Sequence, residues 1–239
     1  QLTSLDVSAN TALIKLKCSS NLLTDLNMKN GVTDGLIEFN ATENSLDCIE
    51  VNEEDVDYAT TNWTNENGNI DDGVIFANIC SSNPNYTYVP DDNFAHALID
   101  LGYDDVIDDY VLTANISGIT SLDVSDKEIS DLTGIEGFTA LTTLSCYGND
   151  LTTLDVSANP ALTSLSCSDN QLTNLDVNNN AGLTTLTCNR NQLTALDVSV
   201  NPALTVLACD NNAITALDVR NNTLFGNIST QNNNITSLE

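Results

Sequence analysis

Positive charge is scarce in this chain: six lysines and arginines stand against 34 aspartates and glutamates in 239 residues, leaving a net charge of −28. Such a field repels the phosphates of nucleic acid and anionic membrane surfaces, so neither is an expected partner. Cationic partners, divalent ions or a salty medium fit better. The acid is spread along the chain without a long run, as on a solvated surface. Histidine is rarer still. The single histidine, His96, lies in a predicted helix with no adjacent signature of a nucleophile, which leaves it a surface or cap residue. Glycine-rich phosphate loops, HExxH and paired metal-ligand cysteines are all missing, so the chain is expected to be non-catalytic and to need no cofactor. No apolar run reaches the ~18 residues of a membrane span, which excludes direct insertion by this stretch. The sequence opens at Gln1 in mid-pattern without a signal peptide and stops in mid-pattern at "NNNITSLE", as a piece of a longer protein would.

What the chain has in abundance is a repeat. Units starting at Leu141, Leu162, Leu183, Leu204 and Phe225 follow one another every 21 residues. Each splits into halves, LTxLxCxxNQ and LTxLDVSxNPA, so every coil makes two passes of LxxLxLxxN. The short LxC or LxV core alternates inside and outside, which predicts a strand, and the following xxN turns the corner. One coil cannot bury its leucines alone. Stacked coils share a continuous core, which fixes the leucines and frees the outward residues to vary. Asn149, Asn170, Asn191, Asn212 and Asn233 form one column, and Asn159, Asn180, Asn201 and Asn222 another. An amide with two donors and an acceptor can satisfy backbone groups turned inward at each corner.

This period and signature are those of the leucine-rich repeat. The expected fold is an α/β-type solenoid, mostly β, right-handed, with a parallel β-sheet built from 21–22-residue coils. Cys146, Cys167, Cys188 and Cys209 form a ladder at the second apolar position of the first half, where Val124 stands one coil earlier and Thr230 one coil later. A cysteine there is a small buried hydrophobe. Zinc ligands must converge on one point, whereas this spacing stacks the thiols in parallel about 4.8 Å apart. That also exceeds the Cβ separation of about 3.8 Å usual in a disulfide, so the ladder should be reduced. The column resembles the cysteine-ladder branch of the internalins, secreted bacterial leucine-rich repeat proteins. "ISDLTGIEGFTALTTL" at 129–144 is similar to the longer internalin repeat, and the resemblance covers 115–239 well and 1–51 in shorter form.

Residues 1–21 keep the register, with Cys18 in the ladder position. The next unit, between Leu22 and Asn44, carries two extra residues and puts Ala41 in the cysteine column, and the pattern fades after 45–51. The reading is therefore two arrays with a joint: 1–51 ends a first array, 52–86 is its C-terminal cap and linker, 87–118 is a helical N-terminal cap, and 119–239 is a second array. The first cap is expected to hold a short strand near Val74–Ala77 and to run into a linker at "SSNPN". Asp91 or Asp92 should cap a helix whose apolar face carries Phe94, Leu98 and Leu101 and which stops at Gly102. Cys48 and Cys80 lie outside the ladder. In a secreted setting they would pair, and otherwise they are two buried thiols.

The outward columns of the Cys-bearing strands, assigned to the concave sheet by analogy with internalins, are the candidate binding surface. They comprise Thr143, Ser164, Thr185 and Val206; Ser145, Ser166, Thr187 and Ala208; and Tyr147, Ser168, Asn189 and Asp210. Small polar residues dominate, so Tyr147 and Arg190 are the expected anchors. Asp155, Asp176, Asp197 and Asp218 make an outward acidic column on the other half, read as bonding to nearby backbone or hydroxyls, with calcium between rungs as the alternative. "YDDVIDDY", with Asp104, Asp105, Asp108 and Asp109, is denser but lacks the DxDxDG spacing of a calcium hand. The internalin resemblance implies a monomeric, extracellular or cell-surface module that binds a protein or glycan surface ligand. A structural spacer is the alternative function, and a carbohydrate-binding module a third.

Overall fold

The computed structural model describes residues 1–80 and 85–238. The chain divides into two compact units, Gln1–Pro84 and Asn85–Glu239. Residues 81–84 of the expected linker lie outside the described residues.

In the second unit the Cys-bearing half of each coil is a three-residue strand. Ser121–Asp123, Thr143–Ser145, Ser164–Ser166, Thr185–Thr187, Val206–Ala208 and Asn227–Ser229 form one parallel six-stranded sheet. Its register is in step, with Leu122, Leu144, Leu165, Leu186, Leu207 and Ile228 facing one another in turn. The core is a stack of leucines with the cysteine column beside it, and Leu144, Leu165, Leu186 and Leu207 are wholly buried. The fold is a leucine-rich repeat solenoid, mostly parallel sheet with few helices.

The second halves depart from the expected strand. Their LDV segments run without a ladder until Ala216–Leu217 pairs with Ser237–Leu238. Successive coils there meet through isolated backbone bonds, such as Gln171 N–H to Leu151 C=O (2.9 Å) and Gln192 N–H to Leu172 C=O (2.8 Å). The asparagines do much of the remaining joining. In the first unit the distribution is reversed: Ser4–Asp6, Asp25–Asn27, Cys48–Glu50 and Ile75–Ala77 form a four-stranded parallel sheet on the LDV side. On the cysteine side Lys15–Lys17 pairs with Glu38–Asn40. The extra residues of the second coil are taken up near a 3-10 turn at Thr33–Gly35, and Ala41 sits buried in the ladder position.

Among the described residues the two longest of three α-helices fall one in each unit. Helix α1, Val56–Asn62, follows a 3-10 turn at Glu53–Asp55 in the first unit and was not anticipated from the sequence, where Asn, Asp and Thr show no helical apolar period. The strand expected near Val74–Ala77 is Ile75–Ala77, which pairs with Cys48–Glu50 and extends the sheet into the cap. Helix α2, Asp92–Asp100, buries Phe94 and Leu98. Leu101, expected on the same face, falls at the C-cap and is 43% exposed, because the helix has already stopped before Gly102, which takes φ +77°. Asp91 is the N-cap. Its Oδ1 accepts the N–H groups of Asn93 and Phe94, and its Oδ2 accepts the N–H groups of Ser130 and Asp131 and the Ser130 hydroxyl. One carboxylate thus fastens the cap helix to the first coil. Upstream, Tyr86–Tyr88 pairs antiparallel with Tyr110–Leu112.

Candidate functional site

The corner after each Cys-bearing strand requires left-handed backbone, and Asp126, Gly148, Asp169, Arg190, Asn211 and Asn232 all have φ between +50° and +68°. Gly, Asn and Asp tolerate this conformation, whereas an arginine adopts it at a cost. At Gly148 space adds to the argument: a Cβ would lie 2.1 Å from the Asp126 carboxylate. The column turns the chain so that Tyr147, one residue earlier, stands 38% exposed at the edge of the sheet. Arg190 reaches back one coil to Asp169, with Nη1 3.2 Å from Oδ1. Together Tyr147, Ser168, Asp169, Thr187, Asn189, Arg190, Asp210 and Asn211 surround an open depression of about 350 Å³.

The structure therefore brings together Tyr147, Ser168, Thr187, Asn189, Arg190 and Asp210 of the expected surface. Thr143, Ser145, Ser164, Ser166 and Thr185 are half-buried along the same sheet, outside the depression. Several of these side chains are committed to neighbouring coils. Ser168 is buried, and its Oγ accepts the Asn189 N–H at 3.0 Å. Asn189 Oδ1 in turn accepts the Asp210 N–H at 2.7 Å, and the Asp210 carboxylate accepts the Ser229 hydroxyl at 2.8 Å. Thr187 donates to Ser166 Oγ, 3.0 Å away. The sequence signal of free outward variation was misleading here, because Ser, Asn and Asp each supply the acceptor that the next coil's backbone needs. Ser168 is corrected from a surface contact to a buried rung.

The two asparagine columns bond unequally. Asn149, Asn170, Asn191 and Asn212 use both ends of the amide; Asn191 accepts the Leu172 N–H at 2.9 Å and donates to the Cys167 carbonyl at 3.0 Å. In the second column the Nδ2 groups donate to carbonyls, for Asn180 those of Val156 and Asn159, while the buried Oδ1 atoms of Asn159, Asn180, Asn201 and Asn222 accept no hydrogen bond from the described protein atoms. Cys146, Cys167, Cys188 and Cys209 are buried thiols, as is Cys18. Burial pushes Cys146 up to about 12 and Cys18 and Cys209 to about 11, with Cys167 and Cys188 also raised. Such thiols are inert as nucleophiles. Cys48 and Cys80 form a disulfide, Cα to Cα 5.8 Å.

On the other half of the coils, Asp155, Asp176, Asp197 and Asp218 each accept the N–H two residues on, at 2.8–3.0 Å, which closes a local turn. The Ser157 hydroxyl together with the Ser157 N–H holds Asp155 below the usual carboxylate range, the Ser199 N–H together with its hydroxyl does the same for Asp197, and the Arg220 side chain brings Asp218 to about 2. Asp104 and Asp108 likewise accept N–H groups from Asp105 and Tyr110. Among the described residues no group of three His, Cys, Asp or Glu side chains is placed to hold a metal ion. His96 is exposed, its ring nitrogen 2.7 Å from the Asp92 carbonyl. Among the described residues no helix is long and apolar enough to cross a membrane.

No family model matches the chain. Internalin J of Listeria monocytogenes serotype 4b (strain F2365) is 40% identical over 72 residues, which is 30% of this chain and 8% of that protein. This is a leucine-rich repeat protein similar to the cysteine-ladder internalins. A crystal structure of the internalin InlF from Listeria monocytogenes 4b F2365 covers 98% of this internalin-like chain and 70% of its own, at 20% identity and a TM-score of 0.50, a likeness of fold alone. The functional domain of InlJ from Listeria monocytogenes, described as including a cysteine ladder, is 35% identical over 64% of this chain and 44% of that one, with a TM-score of 0.49. The chain thus spans less than half of the InlJ domain and less than a tenth of Internalin J.

Proposed function

We propose that this internalin-like chain is a non-catalytic, extracellular recognition module that binds a protein or glycan surface ligand through the Cys-strand sheet of its second array. The observation that carries this reading is the depression between Tyr147 and Arg190. It gathers the exposed aromatic ring and the exposed guanidinium of this face, and Arg190 occupies a left-handed corner where the neighbouring coils have Asp, Gly or Asn. Tyrosine and arginine are the side chains that most often dominate an interface. The Cys48–Cys80 disulfide supports an oxidising, extracellular setting.

The test is binding to arrays of glycans and surface proteins with the wild type and the Tyr147→Ala/Arg190→Ala pair. Recognition by this face requires the pair to lose binding while thermal stability stays nearly unchanged. Binding that survives the pair and is lost with Asp176→Ala/Asp197→Ala moves the surface to the other half of the coils. A second reading, a spacer that carries another domain, is favoured by the rung-to-rung bonds of Ser168, Asn189 and Asp210, which turn much of the face into scaffold. No ligand on either array, with normal stability, would support the spacer.

A further inference from the structure

The cap of the first unit carries an open hollow of about 480 Å³ that the recognition face does not use. Its apolar lining is Trp63, Ile70 and Phe76, each at most 7% exposed at the floor, with Val74 and the 60%-exposed Ile75, and its polar residues include Asp71 and Asp72. Trp63 sits against Phe39 at 4.4 Å and Phe76 at 5.7 Å between ring centroids, so the aromatic wall is fixed by the core beneath it. All the lining residues lie between Cys48 and Cys80, inside the loop the disulfide closes. A volume of this size falls in the range that holds small ligands or a single long side chain.

The charge of the lining decides what fits. None of the lining residues is basic. Asp71 is occupied, its two oxygens accepting the N–H groups of Glu43 (3.0 Å) and Asn44 (3.1 Å). Asp72 is exposed at the rim. An anion would meet this carboxylate and the field of a chain with net charge −28, whereas a cation gains from both. An apolar wall with a carboxylate at its mouth matches a side chain with an apolar stem and a cationic tip, and such a stem is what lysine lays along hydrophobic surface.

We propose that this hollow receives a lysine side chain from a partner protein, its methylenes against Val74, Ile75 and the exposed edge of Trp63 and its ammonium at Asp72. The chain's single tryptophan is the built-in reporter. The experiment titrates the intact, disulfide-bonded chain with Nα-acetyl-L-lysine N-methylamide at low salt and follows Trp63 emission. A ligand of this size should saturate with a Kd of about 1 mM. The uncharged analogue Nα-acetyl-L-norleucine N-methylamide should bind at least fivefold more weakly, and Asp72→Asn should weaken the lysine compound by a similar factor. Asparagine is as suited to a turn as aspartate, so the variant should keep the wild-type circular dichroism and unliganded emission. No saturable change with the lysine compound, an equal response to norleucine, or undiminished affinity in Asp72→Asn would each overturn the proposal, as would a response to methyl glucoside that exceeds the response to lysine.

Discussion

Replacing Asn191 by alanine should destabilise the second array far more than the same change at Asn180, although both amides are buried in neighbouring columns. Loss of the Asn191 side chain removes the acceptor of the Leu172 N–H, and Leu172 is wholly buried. An orphaned buried donor costs about 1–3 kcal/mol. The carbonyls that Asn191 also serves keep other donors: Asn170 still reaches the Cys167 carbonyl, and Asn212 the Cys188 carbonyl. Adding the small void left behind, the expected cost is about 2–3 kcal/mol. At Asn180 the two carbonyls released, Val156 and Asn159, are each still bonded by a backbone N–H, from Asn159 and Leu162. The change also removes an Oδ1 buried without a described partner, so about 1 kcal/mol or less should be lost. Urea denaturation followed by circular dichroism should show the difference, with a fall in melting temperature of about 5–10 °C for Asn191→Ala. Amide exchange at Leu172 should speed up in that variant alone. Equal costs at the two positions, or an unchanged Leu172 amide, would refute the assignment of separate roles.

Asp91→Ala should detach helix α2 from the first coil of the second unit and cost about 2 kcal/mol at neutral pH, read by urea denaturation. Burial alone would raise the Asp91 pKa, but bonds from Ser130, Phe94 and Asp131 outweigh it and leave it lowered, so this stabilisation is complete above the unfolded value of 3.8 and disappears as pH falls through the folded one; the gap between wild type and variant should close in acid. Cys188→Ser buries a hydroxyl in place of a thiol and should cost about 1–3 kcal/mol, and a thiol reagent applied under denaturing, non-reducing conditions should label Cys18, Cys146, Cys167, Cys188 and Cys209 but spare Cys48 and Cys80. Calcium at 100 times its Kd would add about 2.7 kcal/mol, yet the Asp155–Asp218 carboxylates already close local turns, so the melting temperature at millimolar calcium should equal that in magnesium; a calcium-specific rise would restore the metal reading.

The solenoid was legible in the sequence because burial admits few substitutes: Leu144, Cys146 and their counterparts through Leu207 and Cys209 must be apolar and of fitting size. The cap helix α2 was legible for a similar reason, since Asp91 precedes an apolar face bounded by Gly102. Helix α1 was not, because Ala59 is its one fully buried residue and its partners come from distant coils rather than from a local period. At the binding face the exposed anchors Tyr147 and Arg190 could be read from residue type. That Ser168 and Asn189 bond to the following coil could not, because a hydroxyl or amide suits either water or a neighbour's N–H, and only the three-dimensional stacking decides between them.

The ladder of buried thiols has a kinetic consequence. Because burial pushes these cysteines to high pKa and out of contact with solvent, a reagent in neutral buffer can reach each of them only while its own coil is open. The rate at which each cysteine is alkylated in the folded protein is therefore a clock for local opening at that coil, with Cys18 timing the first array and Cys146, Cys167, Cys188 and Cys209 timing successive coils of the second. Where opening and closing are fast relative to the reaction, those rates convert to an opening free energy for each coil. The chain thus carries its own evenly spaced set of probes for whether a solenoid opens one coil at a time or as a block, with no label to be introduced.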